Sequence, residues 1–337
     1  MKLDLLLVGC PLERVAGTAR AAEAAGYDGI WVAETGNDPY LTMCAGLLAT
    51  ERLEMGTAIA LAFTRSPMVT ALSSWELQAA SRGRFRLGLG PQVKAHNERR
   101  FSVPYEKPAA KLVEQVRALR AIWAAFAGEA PLDFHGEFYR FDLLTEFFNP
   151  GPINAPPPPV YLAAVNPYSF RMAGEVADGV HVHPLHTVRY LQDVARPALE
   201  EGLARGGRTA GAVELSAQVM VVAGRGEERR RLEAEARAQI AFYGSTRTYR
   251  APLEHSGYGD LVPKLHELMA AGNRDGLLAA VPDELLDEFV VQGDTWEDVA
   301  AAARKRYEGV VDRISLYYLP PLEGPEAARV PAAFGRS

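Results

Sequence analysis

The sequence predicts a (β/α)8 barrel with insertions, and three observations lead there. Eight short apolar segments, residues 3–8, 29–33, 54–62, 84–90, 159–165, 179–183, 214–223 and 312–319, are separated by helical patterns, and eight is the number of strands that closes such a barrel. A helix, an Asp-Gly turn and a buried strand form a joint that occurs twice, as AEAAGYDGIWVAE (residues 22–34) and AGEVADGVHVHP (residues 173–184). Looser versions are SRGRFRLGLG and YEGVVDRISLYYL, so the chain repeats one βα unit. The first strand is followed by Gly9-Cys10-Pro11, which is not the Gly-rich nucleotide turn of a doubly wound open sheet.

Each element follows from its residues. Residues 3–8 are almost all apolar, as expected of a strand buried on both faces. Leu12 to Ala25 is alanine-rich with Arg and Glu at helical spacing, and Gly26 stands where a helix needs a left-handed C′ residue. Gly88-Leu89-Gly90 lies inside a strand, where glycine serves close backbone approach rather than phosphate binding. Residues 1–320 read as a single domain with two insertions. The first, about 128–158, contains DFHGEFYRF, read as a β-hairpin, and Pro156 to Pro159, which force an extended approach to the next strand. Its aromatics, Phe134, Phe138, Tyr139, Phe141, Phe147 and Phe148, are expected to pin it to the barrel. The second, about 245–300, is helical and ends with a capping-box pattern, Thr295 to Asp298. The Pro-, Ala- and Gly-rich tail, 321–337, is expected to be loosely ordered.

A net charge of −6 over 337 residues lacks the electrostatic footprint of a general nucleic-acid binder. The apolar run at the N-terminus is too short for a membrane span and has no basic flank or cleavage site. Cys10 and Cys44 make no disulfide framework. A cytoplasmic protein with a small-molecule substrate is expected.

Polar residues cluster where the apolar segments end. In parallel α/β folds, ligands meet the carboxyl ends of the strands. The stretch Glu51 to Pro67 is a strand with a polar exit, Thr64, Arg65 and Ser66. Glu34 leaves the second strand and is a candidate for proton transfer, while Asn37 or Asp38 can cap the next helix. After the fourth strand, Gln92, Lys94, His96 and Asn97 can face the mouth, with Glu98 to Arg100 opening a solvated helix. His181 and His183 share one face of a strand and Val180 and Val182 the other, which turns the histidines inward and makes His183 a candidate acid or base. His186 follows, but H-x-H without a carboxylate ligand set is a weak metal signature, and no metal is expected. At Ala164-Val165-Asn166 the chain enters a helix through Pro167. The turn is read either as a phosphate seat or as an ordinary N-cap.

Taken together, GYDGIWVAET, LEMGTAIALAFTRSP, GRFRLGLGPQVKAHNERRF and YLAAVNPYSFRMAGEVADGVHVHP resemble the luciferase-like monooxygenase superfamily, and within it the oxidoreductases that use the deazaflavin coenzyme F420. The resemblance covers roughly residues 3–320. It implies a non-prolyl cis peptide in the third strand at Thr57-Ala58-Ile59, with the flavin-like ring resting there. It also implies cofactor contacts from the loop carrying Gln92, Lys94 and Asn97, and a phosphate seat at Ala164-Val165-Asn166. Glu34 matches an acid beside the cofactor. The next position is a histidine base in sugar-phosphate dehydrogenase relatives and is Thr35 here, which argues against their substrate and leaves proton transfer to Glu34, His96 or His183. The implied chemistry is hydride transfer in a homodimer. An FMN-dependent monooxygenase is the same-fold alternative, and a non-catalytic flavin-binding protein is the alternative of another class.

Overall fold

Eight parallel strands close on themselves in the computed structural model, which describes residues 1–317 and 324–336. They are β1 (Lys2–Leu7), β2 (Gly29–Val32), β3 (Glu54–Thr57, resumed at Ala60–Leu61), β4 (Phe85–Gly90), β5 (Val160–Ala164), β6 (Gly179–Val182), β7 (Glu214–Ala223) and β8 (Arg313–Tyr317). Each pairs with the next, and β8 returns to β1 through Lys2 opposite Arg313. Every strand falls within about two residues of its expected position. Several helices behind the strands start on side-chain caps, Asp38, Ser66 and Asn166, each followed by proline at the first helical position. Gly26 adopts the left-handed conformation (φ 92°) that ends the first helix.

The floor of the barrel, at the amino ends of the strands, is an ion cluster. Arg313, fully buried, donates to both carboxylate oxygens of Asp4 (2.6 and 2.7 Å), to Glu54 (2.7 Å) and to Glu214 (3.3 Å). Trp31 donates its indole N–H to Asp4 at 2.7 Å, and the guanidinium lies 4.9 Å from the Trp31 ring centroid. Burial opposes the charge of Arg313, but the three carboxylates outweigh it and raise its pKa. Above this floor Trp31, Ala58 and Tyr161 form a small apolar layer inside the barrel.

Long segments separate β4 from β5 and β7 from β8. In the first, Phe134–His135 pairs antiparallel with Arg140–Phe141, and the Glu114 carboxylate accepts the backbone N–H groups of Glu137, Phe138 and Tyr139. Phe141 packs on the core as expected, whereas Phe147 and Phe148 are 89% and 70% exposed and pin nothing. That work is done by Trp75 and Gln78, which donate to the carbonyls of Gly151 and Pro156. In the second, β7 runs past the barrel and pairs with Val291–Gly293, and the helix Trp296–Tyr307 starts on the expected Thr295–Asp298 capping box.

The described part of the tail, residues 324–336, differs from the expectation of loose order, while residues 321–323 and 337 lie outside the described residues. Residues Gly324–Ala333 form a helix, Val330 is fully buried, and Tyr27 donates to the Ala327 carbonyl at 2.8 Å. Val330, with Ala327 and Phe334 packed on the core beside it, holds it together with two polar anchors, Tyr27 on the Ala327 carbonyl and Arg336 on Asp28. Among the described residues no helix is long and apolar enough to cross a membrane.

Candidate active site

The mouth of the barrel is shaped by the break in β3. Between its two halves the Ala58–Ile59 peptide is cis, at the position the sequence resemblance implies. Thr57 is buried and locked to β4: its hydroxyl donates to the Gly88 carbonyl (2.7 Å) and accepts from the Gly88 N–H (2.9 Å). Gly88 cannot be larger, since a Cβ there would stand 1.8 Å from the Thr57 carbonyl oxygen. At Gly90 a Cβ would meet the Ile59 side chain at 2.7 Å. The glycines of the fourth strand therefore serve close approach, letting β3 lean inward over β4.

Glu34, at the exit of β2, completes this corner. Its Oε2 accepts the Leu61 N–H at 2.7 Å and one Arg65 nitrogen at 3.0 Å, and its Oε1 accepts the other Arg65 nitrogen at 2.9 Å. The carboxylate is 6% exposed. Arg65 also reaches Asp38 (2.8 Å) and lies over the Tyr40 ring. Burial acts against its charge, yet the hydrogen bonds to Glu34 and Asp38 raise its pKa above the usual value. Asp38 caps the following helix through the N–H groups of Tyr40 and Leu41, the role the sequence leaves open for it.

Across the barrel, β6 presents its histidines inward and its valines to the outer core, as the alternation predicts. His181 packs between Trp31 and Tyr161, and its Nε2 lies 3.1 Å from the Thr57 carbonyl. His183 accepts the Leu185 N–H at Nδ1 (3.1 Å), stacks on Tyr249 and meets Tyr243 edge-on, both with ring centroids 4.5 Å away. With Nδ1 occupied as an acceptor, the neutral ring carries its proton on Nε2. Burial, followed by the neighbouring His186, pushes the His183 pKa down to about 3. His186 donates through Nδ1 to the His183 carbonyl and meets the Tyr307 hydroxyl at Nε2, so its role is to hold the turn. The described residues contain no group of three or more His, Cys, Asp or Glu side chains placed to hold a metal ion.

A sequence profile described as luciferase-like monooxygenase matches residues 6–313. The chain belongs to the luciferase-like monooxygenase family. An uncharacterized protein of Mycobacterium tuberculosis is 46% identical over 304 residues, 90% of this chain and 89% of that one. A second protein of the same organism, provisionally named a coenzyme F420-dependent oxidoreductase, is 28% identical over 84% of this chain and 85% of its own length. Among solved structures, the coenzyme F420-dependent tetrahydromethanopterin reductase of Methanopyrus kandleri superposes with a TM-score of 0.75 at 20% identity, covering 99% and 97% of the two chains. A riboflavin lyase holding modified FMN gives 0.72 at 14% identity, covering 100% and 92%.

In this luciferase-like barrel the segment after β4 departs from the sequence reading. The helix begins at Lys94 rather than near Glu98, and its period turns Lys94 and His96 to solvent while Asn97 is buried. Lys94 faces Glu98 along the helix at 3.7 Å. Gln92 accepts the N–H of its neighbour Val93. Asn97 donates to the carbonyls of Pro91 and Val93, and its Oδ1 is buried without a partner. Arg100, read as surface, reaches the Thr35 carbonyl.

At Ala164-Val165-Asn166 the structure shows the N-cap, one of the two readings the sequence leaves open. Asn166 is the N-cap of the helix Pro167–Val176, in a full capping box with Ser169. The N–H groups of Val165 and Asn166 both donate to the Ser169 hydroxyl, at 3.0 and 3.1 Å. Sequence reasoning had no signal for Tyr243 and Tyr249, which come to His183 from about 60 positions away in the chain.

Proposed function

We propose that this protein is an oxidoreductase that binds the deazaflavin coenzyme F420 in the barrel mouth and passes a hydride between it and a small organic substrate. The observation that carries the reading is the inward row at the carboxyl ends of β2 to β5, namely Ala33, Ala58, Gly90 and Ala163. Ala33 and Ala163 keep partial exposure, and a side chain added at Gly90 would fill the space now lined by Ile59 and Ala163. Small residues in adjacent strands leave a shallow apolar floor, the shape a planar ring requires. The sequence relative named for F420 favours the deazaflavin over FMN.

The bound coenzyme would supply the two-electron chemistry; the chain supplies position and charge. Thr57, Ala58 and Ile59 would back the ring, with the Glu34–Arg65 pair fixing that bulge from behind. The unpartnered Oδ1 of Asn97 is an acceptor available on the β4 side, beside Gln92 and Lys94. A coenzyme phosphate at Ala164-Val165-Asn166 would have to take the two N–H groups now held by Ser169. Of the residues considered for proton transfer, His183 serves as a neutral Nε2–H donor to a substrate oxygen. Glu34 is committed to Arg65, and His96 sits on the outer rim. The substrate is a small molecule admitted between the two insertions.

Anaerobic titration of the purified protein with F420 and with FMN tests this reading. Saturable F420 binding and oxygen-independent reduction of the coenzyme support it, whereas tight FMN binding with oxygen-dependent turnover contradicts it. Equal reduction rates in the wild type, Glu34→Gln and His183→Ala would favour a carrier without turnover.

A further inference from the structure

The hydroxyls of Tyr243 and Tyr317 lie 2.9 Å apart, and Tyr317 donates onward to Gln239 Oε1 at 3.4 Å. Tyr317 is the last residue of β8, and Tyr243 is the residue whose ring abuts His183. The chain has a direction. With its proton given to Gln239, the Tyr317 oxygen is left to accept from Tyr243, and the Tyr243 oxygen then keeps its lone pairs free to accept. Gln239 is partly exposed on the helix Gly226–Gly244, so the chain runs from the tyrosine beside His183 toward solvent.

His183 cannot carry a proton along this path. Its Nδ1 is held by the Leu185 N–H, so losing the Nε2 proton would leave an imidazolate. Its conjugate acid forms only near pH 3, first because of burial. For a substrate that bears a hydroxyl, His183 can donate to its oxygen, and a separate group must take its proton.

We propose that Tyr243 is a catalytic residue that exchanges the proton of a substrate hydroxyl, with Tyr317 as the relay to solvent and Gln239 orienting the Tyr317 hydroxyl. This rests on the oxidoreductase reading and assigns its substrate class, a hydroxyl compound or the matching carbonyl. In the oxidising direction the substrate C–H bond breaks and leaves as hydride to the oxidised deazaflavin. The substrate O–H proton passes to the Tyr243 oxygen as the Tyr243 proton passes to Tyr317, and the partly exposed Tyr317 hydroxyl turns from Gln239 and gives its own proton to solvent. A carbonyl, a reduced coenzyme and one proton result. The reverse sequence returns a proton to the oxygen of a reduced carbonyl.

The test uses Tyr243→Phe and Tyr317→Phe in the full chain. In the coenzyme-loaded enzyme, Tyr243→Phe should lower kcat for alcohol oxidation by about a hundredfold. KM should change little, and the solvent deuterium isotope effect should vanish. Tyr317→Phe should cost about tenfold and also reduce that isotope effect. In coenzyme-free protein, cyclohexanol binding followed by tyrosine fluorescence should weaken about fivefold in Tyr243→Phe through the lost hydrogen bond. Wild-type kcat with an unchanged isotope effect in both variants would overturn the proposal. If Tyr243→Phe does not fold, Tyr317→Phe decides by the same isotope effect. If the wild type shows no F420 turnover, the oxidoreductase reading fails separately, and equal cyclohexanol affinity in wild type and Tyr243→Phe then overturns the tyrosine assignment by itself.

Discussion

Glu34 and Arg65 meet through two hydrogen bonds of 2.9 and 3.0 Å, one to each carboxylate oxygen, at the point where β2 and the broken β3 leave the barrel. The same carboxylate takes the Leu61 N–H, so a single side chain joins an ion pair to the backbone that follows the bulge. Glu34→Gln keeps the shape but removes the charge, and among the described residues leaves Asp38 as the charged partner of Arg65. A loss of about 2 kcal/mol in unfolding free energy is expected, read as a lower urea midpoint, together with weaker coenzyme binding by fluorescence titration. An unchanged midpoint would show that the pair contributes nothing to this corner.

Gly88→Ala is expected to be far more damaging than its size suggests. The new methyl would sit 1.8 Å from the Thr57 carbonyl oxygen, and backbone rather than a flexible side chain would have to move. A cost of about 3 kcal/mol or more follows from overpacking. Gly17→Ala is the contrast: nothing lies within 4 Å of the added Cβ, and a gain of about 0.5–1 kcal/mol is expected in mid-helix. Thermal melts of the two variants give opposite shifts.

The inward histidines make stability depend on acidity. Burial lowers the pKa values of His181 and His183 to about 3 and of His186 to about 4, from 6.5. Between those values the unfolded chain binds more protons than the folded one, so stability rises with pH. The contribution is complete above pH 6.5 and is lost as pH falls through 6.5 toward 4 and then 3. Each histidine adds at most about 1.4 kcal/mol per pH unit in that window. Urea midpoints should fall between about pH 7 and about pH 5, and His183→Gln should make that slope shallower.

Arg313→Met removes the cation that Asp4, Glu54 and Glu214 share. Asp4 is fully buried and, among the described residues, would keep the Trp31 indole as its one side-chain donor. A destabilisation of about 3–5 kcal/mol is expected for a buried carboxylate left unpaired. Equilibrium unfolding measures it, and the loss should shrink when Asp4→Asn is added.

Much of this was legible in the sequence because parallel barrel strands are buried on both faces and read as apolar runs. The inward turn of His181 and His183 follows from alternation alone, and the N-cap at Asn166 and the capping pair at Thr295 follow from local hydrogen bonding. What the sequence hid has physical causes. Lys94 and Asn97 differ in burial because the helix starts four residues earlier than the charge run suggests. Ser169 takes the Val165 and Asn166 N–H groups through a side-chain contact that a Pro-Tyr-Ser string does not announce. Val330 anchors the tail in an Ala- and Pro-rich segment with little periodicity, and Tyr243 reaches His183 only through tertiary packing.

A crystal structure of the protein grown with coenzyme F420 tests the central claim most directly. The account predicts the deazaflavin ring over Ala58, Ile59, Gly90 and Ala163, with the His183 Nε2 side of the mouth open to substrate. Coenzyme bound elsewhere on the barrel, or FMN retained in that position through purification, would contradict it.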